Sequence, residues 1–177
     1  QVGHDMPPYA EQSVIRSGSQ SMPFQYGQNG ATTSEAKLTL DTVQDWTQGG
    51  AQTLVVWFRG SLGSAAGQLY VLINGTRVDY DGSAGSLGAP IWKNWNIDLA
   101  SLGNAARSVT SITIGVAGSG TGTLYFDDIR LYREAPPTTG DAVDPGTAGL
   151  MAYYPMSGNA ADASGNGHPG SVHGAQW

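Results

Sequence analysis

Between residues 14 and 133, apolar side chains recur at every second position in short runs, and this period of two restricts the fold more than any other feature. A strand places alternate side chains on opposite faces, whereas a helix needs a period near 3.6. Gly, Ser, Asn and Asp separate the runs, as they do at turns. The predicted strands are Ser13–Ile15, Met22–Tyr26, Ala36–Leu40, Thr53–Arg59, Gln68–Asn74, Ile91–Leu99, Ser111–Val116 and Gly122–Tyr132.

About eight strands at this spacing predict an all-β fold, an antiparallel β-sandwich of the jelly-roll type. The composition agrees, because only three Glu and two Lys are present beside 26 Gly, and exposed helix faces favour Glu and Lys. Leu99–Ala106 is the one helix-like stretch, and it is short. We expect less than about 10% helix within residues 13–133.

The charge and the cysteine content exclude several classes of protein. Eight basic and fourteen acidic residues give a net charge of −6, with no cluster of Lys and Arg, so a nucleic-acid partner is not expected. No apolar run approaches the length of about 18 residues that spans a bilayer, so membrane insertion is not expected either. The absence of Cys excludes disulfides and thiolate metal sites.

The composition changes at Glu134, which divides the chain. Residues 134–148 hold three Pro and few apolar side chains, as an inter-domain linker does. Beyond it, Leu150–Met156 and Ser171–Trp177 are predicted strands, and two strands cannot bury a core unaided. We therefore expect a first domain over 1–133 and an incomplete second β domain over 149–177, whose open strand edges favour association with another chain.

Aromatic and polar side chains share the faces of the predicted strands that lie opposite the aliphatic ones. Sugars require this mixture, because a pyranose stacks its C–H face on a ring while its hydroxyl groups need fixed donors and acceptors. The alternative is that these residues lie in different sheets or beneath loops. Trp95 is predicted to lie in the core, and Trp46 is predicted to seal a loop against the core. The candidate ligand-binding residues are Trp57, Arg59, Tyr70, Trp92, Asn94 and Tyr125, with Asn74 and Asn96 on the same outward faces.

Asp127 and Asp128 are adjacent carboxylates in the last predicted strand, between Phe126 and Ile129. Burying such a pair is costly without a counter-charge. Two interpretations stay open: the pair ligates a metal ion, or it sits in a β-bulge and bonds to Arg130 or to backbone amides.

Four stretches in this order resemble carbohydrate-binding modules of bacteria with the galactose-binding-like jelly-roll fold, over residues 9–133. They are Ser17–Met22, Leu54–Gly60, Trp92–Leu99 and Leu124–Tyr132. Gly149–Pro155 followed by Asp162–Gly167 resembles the opening of a laminin-G-like, concanavalin-A-like jelly roll. The first resemblance implies a further strand before Gln1, so we expect the first domain to lack its front strand.

The same resemblance implies a structural calcium ion. Its ligands would be Asp127 or Asp128 with backbone carbonyls near Ser17 and Gln20, and a Glu from the missing strand would complete the site. Calcium prefers six to eight oxygen ligands, which suits carboxylates and loop carbonyls.

The predicted function is non-catalytic binding of a polysaccharide or glycan by an extracellular, multimodular bacterial protein. No Ser-His-Asp set, phosphate-binding glycine loop or histidine cluster is present, and the acidic residues fall mostly in turns and the linker, so an enzyme is not expected. One alternative is a structural or adhesive module that serves for spacing or protein contact. Another is an accessory piece beside a concanavalin-A-like glycoside hydrolase.

Overall fold

A computed structural model describes residues 1–138 and Gly167. The chain divides into two units, Gln1–Gly140 and Asp141–Trp177. Most of the predicted linker and the predicted laminin-G-like segment lie outside the described residues, so these two predictions stay predictions.

The first unit contains eight strands. They are β1 (Met22–Tyr26), β2 (Thr33–Gln44), β3 (Thr53–Gly60), β4 (Gln68–Ile73), β5 (Thr76–Asp79), β6 (Trp92–Asp98), β7 (Val109–Ala117) and β8 (Gly122–Tyr132). Four 3-10 segments connect them, at Gln28–Gly30, Gln48–Gly50, Ala84–Gly88 and Leu99–Arg107. Within residues 1–138 there is no α-helix, which confirms the all-β prediction.

The strands form two antiparallel sheets, one in the order β1-β8-β3-β6 and the other in the order β2-β7-β4-β5. We call them sheet A and sheet B. Apart from β4 and β5, which form a hairpin, neighbouring strands in each sheet are not consecutive in sequence, as in a jelly roll, where the chain passes between the two layers. The predicted β-sandwich is therefore confirmed.

The core lies between the inner faces of the two sheets, where the aliphatic sets of the alternating strands meet. Sheet A contributes Leu54, Val56, Phe58, Leu124 and Phe126, all at most 2% exposed. Sheet B contributes Leu69, Val71, Ile73, Ile112, Ile114 and Val116. Trp46 and Trp95 also lie in this core, as predicted. Full burial of each large side chain contributes about 1.5–3 kcal/mol, so this layer is the main source of stability.

Two local predictions were wrong. Ser13–Ile15 is a loop and not a strand, because its backbone bonds to side chains: the Ser13 and Val14 N–H groups donate to the Glu11 carboxylate, and the Ile15 carbonyl accepts from the Trp92 indole. Thr76–Asp79 is a strand that the period-two pattern did not predict, because it has three polar residues and only one apolar residue, Val78. No helix in the described part of the chain has the length and apolar character needed to cross a membrane.

Candidate carbohydrate-binding face

The outer face of sheet A brings together five of the six predicted ligand-binding residues. Because Leu54, Val56 and Phe58 of β3 point into the core, the alternate side chains of β3 point outward. Their cross-strand partners share that face. The residues placed there are Trp57 and Arg59 of β3, Trp92 and Asn94 of β6, and Tyr125 of β8.

A first row crosses three adjacent strands at Arg59. This residue is paired with Trp92 of β6 on one side and with Tyr125 of β8 on the other. All three side chains are half-buried. With neighbouring strands about 4.8 Å apart, the two aromatic residues stand roughly 10 Å apart with Arg59 on the strand between them. The row therefore offers two apolar rings and a fixed donor on one surface.

A second row lies one step along the same strands and centres on Trp57. Its partners are Asn94 of β6 and Asp127 of β8. The Trp57 ring is capped, because the guanidinium carbon of Arg16 lies 3.6 Å from the ring centroid. Arg16 was not among the predicted site residues. The only signal for it was the requirement of the Asp127–Asp128 pair for a counter-charge.

The segment Ile15–Ser17 forms a wall along this face. The Trp92 indole N–H donates to the Ile15 carbonyl at 3.2 Å. The Asp127 carboxylate accepts the backbone N–H groups of Arg16 and Ser17 at 3.0 and 3.2 Å. These contacts tie one loop to both β6 and β8, so the wall is held from two strands.

The other end of the face is covered by the start of the predicted linker. The Asn94 amide donates to the Pro137 carbonyl at 3.0 Å, and the Asn96 amide donates to the Pro136 carbonyl at 2.5 Å. Asn94 is 4% exposed. The half-buried aromatic row and the guanidinium group of Arg59 are therefore more accessible than Asn94.

Tyr70 does not join this face, which corrects the prediction that grouped it with the others. It belongs to β4 in sheet B, is 1% exposed, and donates its hydroxyl hydrogen to Glu35 at 2.6 Å. The Arg77 guanidinium lies 3.7 Å from its ring centroid. Burial first, and then the Glu35 carboxylate, raise the pKa of Tyr70 to about 12. The alternating pattern of the sequence identified Tyr70 as an outward-facing residue, but it could not show to which of the two sheets its strand belongs.

Asp127 and Asp128 lie at a β-bulge, where Val55 pairs with Arg130 and the next outward residue, Trp57, pairs with Asp127. Asp128 has a positive φ of 49°. Its carboxylate accepts hydrogen bonds from the Ser17 hydroxyl at 2.8 Å, from Arg130 at 2.5 Å and from Arg16. Partial burial acts to raise the pKa of Asp128, but these three bonds lower it below its usual value.

These donors do not suit a calcium ion. Asp127 accepts backbone N–H groups, and Asp128 accepts a hydroxyl group and pairs with two guanidinium groups. No described contact joins Gln20 to either carboxylate, and residues 1–138 hold no group of three carboxylate or imidazole side chains that could bind a metal. The contacts fit the bulge interpretation that the sequence left open, while calcium binding itself stays a prediction.

Comparison with solved structures finds the same fold in carbohydrate-binding modules. A family 30 carbohydrate-binding module aligns with a TM-score of 0.52 at 17% identity, covering 80% of this chain and 81% of that chain. The family 30 module of a cellulosomal cellulase of Clostridium thermocellum aligns with a TM-score of 0.51 at 18% identity, covering 72% and 82%. At such identities the likeness shows the jelly-roll fold.

An exo-beta-agarase also aligns, with a TM-score of 0.53 at 12% identity. The alignment covers 72% of this chain but only 22% of the agarase, so it concerns a minor part of that enzyme. No family model matches the sequence, and no curated protein matches it.

Proposed function

We propose that this chain binds polysaccharide without catalysis, through the outer face of sheet A. The observation that carries the proposal is the row Tyr125–Arg59–Trp92, which crosses three adjacent strands on one surface. The fold of the family 30 modules supports it, because those neighbours are carbohydrate-binding modules that share this sandwich.

The chemistry of the row matches a sugar ring. Trp92 and Tyr125 offer flat apolar surfaces on which the C–H face of a pyranose stacks, and Arg59 offers N–H donors for hydroxyl oxygens. Trp57 is less suited to stacking than these two aromatic residues, because Arg16 covers its ring. We assign Trp57 as the support of Arg16, and Trp92 and Tyr125 as the stacking residues.

A non-catalytic role is supported by the state of the two carboxylates on this face. Glycoside hydrolysis requires a pair of carboxyl groups on either side of a sugar bond. Asp127 and Asp128 instead accept hydrogen bonds from Ser17, Arg16 and Arg130. The proposal includes an extracellular, multimodular bacterial setting, in which a carbohydrate-binding module would hold a partner domain on its substrate.

Affinity electrophoresis in gels that contain soluble polysaccharides tests the proposal. We expect the 177-residue chain to be retarded by at least one polysaccharide, and we expect Trp92→Ala and Tyr125→Ala each to abolish the retardation. Tyr70→Phe is the matched control, because Tyr70 lies in sheet B, and it should bind as the unsubstituted chain does. Circular dichroism shows whether each variant keeps its fold. Retardation unchanged in both alanine variants would reject this face as the binding site.

A second candidate function, association through a strand edge, is supported by β2. This strand lies at the edge of sheet B, and its Leu38 and Val43 are 59% and 64% exposed. Long exposed edges invite pairing with another chain, although Lys37 and Asp41 on the same strand oppose it. Sedimentation velocity decides: a concentration-dependent dimer that Leu38→Lys abolishes would favour this function.

A further inference from the structure

The outer face of sheet A carries an arginine whose charge is not balanced by any described carboxylate. Four ion pairs occur within residues 1–138, and Arg59 is in none of them. The Asp127 and Asp128 carboxylates of β8 already have other partners. Asp128 pairs with Arg16 and Arg130, and Asp127 accepts backbone N–H groups. Two acidic and two basic groups cancel there, so Arg59 is a positive charge beside the aromatic row that is in no described ion pair, in a chain whose total charge is −6.

One edge of the Arg59 guanidinium group is hydrogen-bonded, and the other edge has no partner among the described residues. Its Nε–H donates to the Pro90 carbonyl at 3.0 Å, which fixes the plane of the group. The two terminal nitrogens carry four further N–H donors. None of the four has a partner among the described residues, and the side chain is half-buried between the two aromatic residues of the row.

A planar fork of N–H donors fits a carboxylate through two parallel hydrogen bonds, which are stronger than bonds to neutral oxygens. On the proposed face, a carboxylate at Arg59 would lie between rings stacked on Trp92 and Tyr125. A sugar that supplies both a stacking face and a carboxylate is a uronic acid. We infer that this face binds a polysaccharide that contains uronic acid residues and that Arg59 binds their carboxylate group. This inference rests on the proposed function and names its ligand class.

The test compares one polymer in two charge states. The full chain is run in gels containing polygalacturonate or the same polymer with its carboxyl groups methyl-esterified, at 150 mM salt so that long-range repulsion is screened. A chelator is present, because calcium cross-links this polymer. Alginate serves as a second polyuronate. We expect binding to a polyuronate to exceed binding to the esterified polymer about ten- to a hundredfold.

Substitutions at Arg59 separate its charge from its geometry. Arg59→Gln should reduce polyuronate binding to the level of the esterified polymer, and Arg59→Lys should lose most of the preference, because an ammonium group keeps the charge but not the fork. Lys37→Gln is the matched control, since it removes one positive charge from the exposed β2 strand of sheet B.

The outcomes distinguish this inference from the proposed function. Equal binding to charged and esterified polymers, or an Arg59→Gln variant that behaves as Lys37→Gln does, overturns the inference while carbohydrate binding stands. Binding only to neutral glucans or agarose would likewise overturn the inference and leave carbohydrate binding in place. Failure to bind any polysaccharide of either kind overturns both.

Discussion

Arg16 and Trp57 lie 41 residues apart in sequence, yet the guanidinium carbon of one lies 3.6 Å from the ring centroid of the other. The contact joins a loop to the middle strand of sheet A. The guanidinium group of Arg16 is fixed over the ring, because it also bonds to the Asp128 carboxylate. The predicted stacking platform is therefore already occupied by a side chain of the same molecule.

Removing this cover should expose the indole. In Arg16→Ala, we expect acrylamide to quench tryptophan fluorescence more strongly than in the unsubstituted chain. The same substitution made in a Trp57→Phe background should add no further quenching, because the remaining tryptophans keep their surroundings. If Arg16→Ala increases quenching equally in both backgrounds, the cover lies over another ring. We also expect a loss of about 1–2 kcal/mol in the free energy of unfolding, measured in urea.

Asp128 should make stability depend on pH. Its pKa is lower in the folded chain than in an unfolded one, so its contribution is present above about pH 4 and is lost as the pH falls through the folded value. Asp128→Asn should cost about 1–3 kcal/mol at pH 7, and the difference from the unsubstituted chain should shrink in acid. Asn tolerates the positive φ of this position, so the substitution tests the charge and not the backbone. A difference that stays constant from pH 7 to pH 3 would contradict this account.

Chelation should leave the melting temperature unchanged. The donors around Asp127 and Asp128 are N–H and O–H groups, which a cation would have to displace. The measurement is differential scanning calorimetry in excess chelator and in millimolar calcium. A ligand bound only to the native state raises the melting temperature by mass action. A higher melting temperature in calcium, absent in Asp128→Asn, would therefore support calcium binding at Asp128 and contradict this expectation.

Tyr70 should ionise at a higher pH than an unperturbed tyrosine, and its ring should leave no space for an added side-chain carbon at Gly115. With its pKa raised to about 12, its phenol stays protonated at the pH of about 10 where an unperturbed tyrosine ionises, and the absorbance titration should lose a step near pH 12 in Tyr70→Phe. A Cβ at Gly115 would lie 2.4 Å from the Tyr70 ring, so Gly115→Ala should cost about 1–3 kcal/mol of unfolding free energy. Its polysaccharide binding should persist, because Gly115 lies in sheet B. Loss of that binding in a folded Gly115→Ala variant would place the site elsewhere.

The strands could be predicted because alternation is a local property of the sequence. Met22–Tyr26 and Gly122–Tyr132 have the predicted bounds, and the outward positions of β3 and β6 are those that the pattern indicated. Alternation does not say which strands become neighbours, so Tyr70 was grouped with residues of the other sheet. Arg16 could not be assigned, because its contacts with Trp57 and Asp128 exist only after distant segments have come together.

The position of β8 has a consequence for the order in which the molecule is completed. β8 is the last strand of the sandwich in sequence, yet it lies between β1 and β3 and carries Tyr125 and Asp127. The bond from the Arg16 amide to Asp127 spans 111 residues. During synthesis, which proceeds from the N-terminus, sheet A has a gap beside β3 until β8 has left the ribosome. Closing so long a loop is also slow. The face acquires its second aromatic ring, Tyr125, and the bonds from Asp127 to the Arg16 wall only when β8 is added, so a nascent chain that ends before Gly122 lacks both.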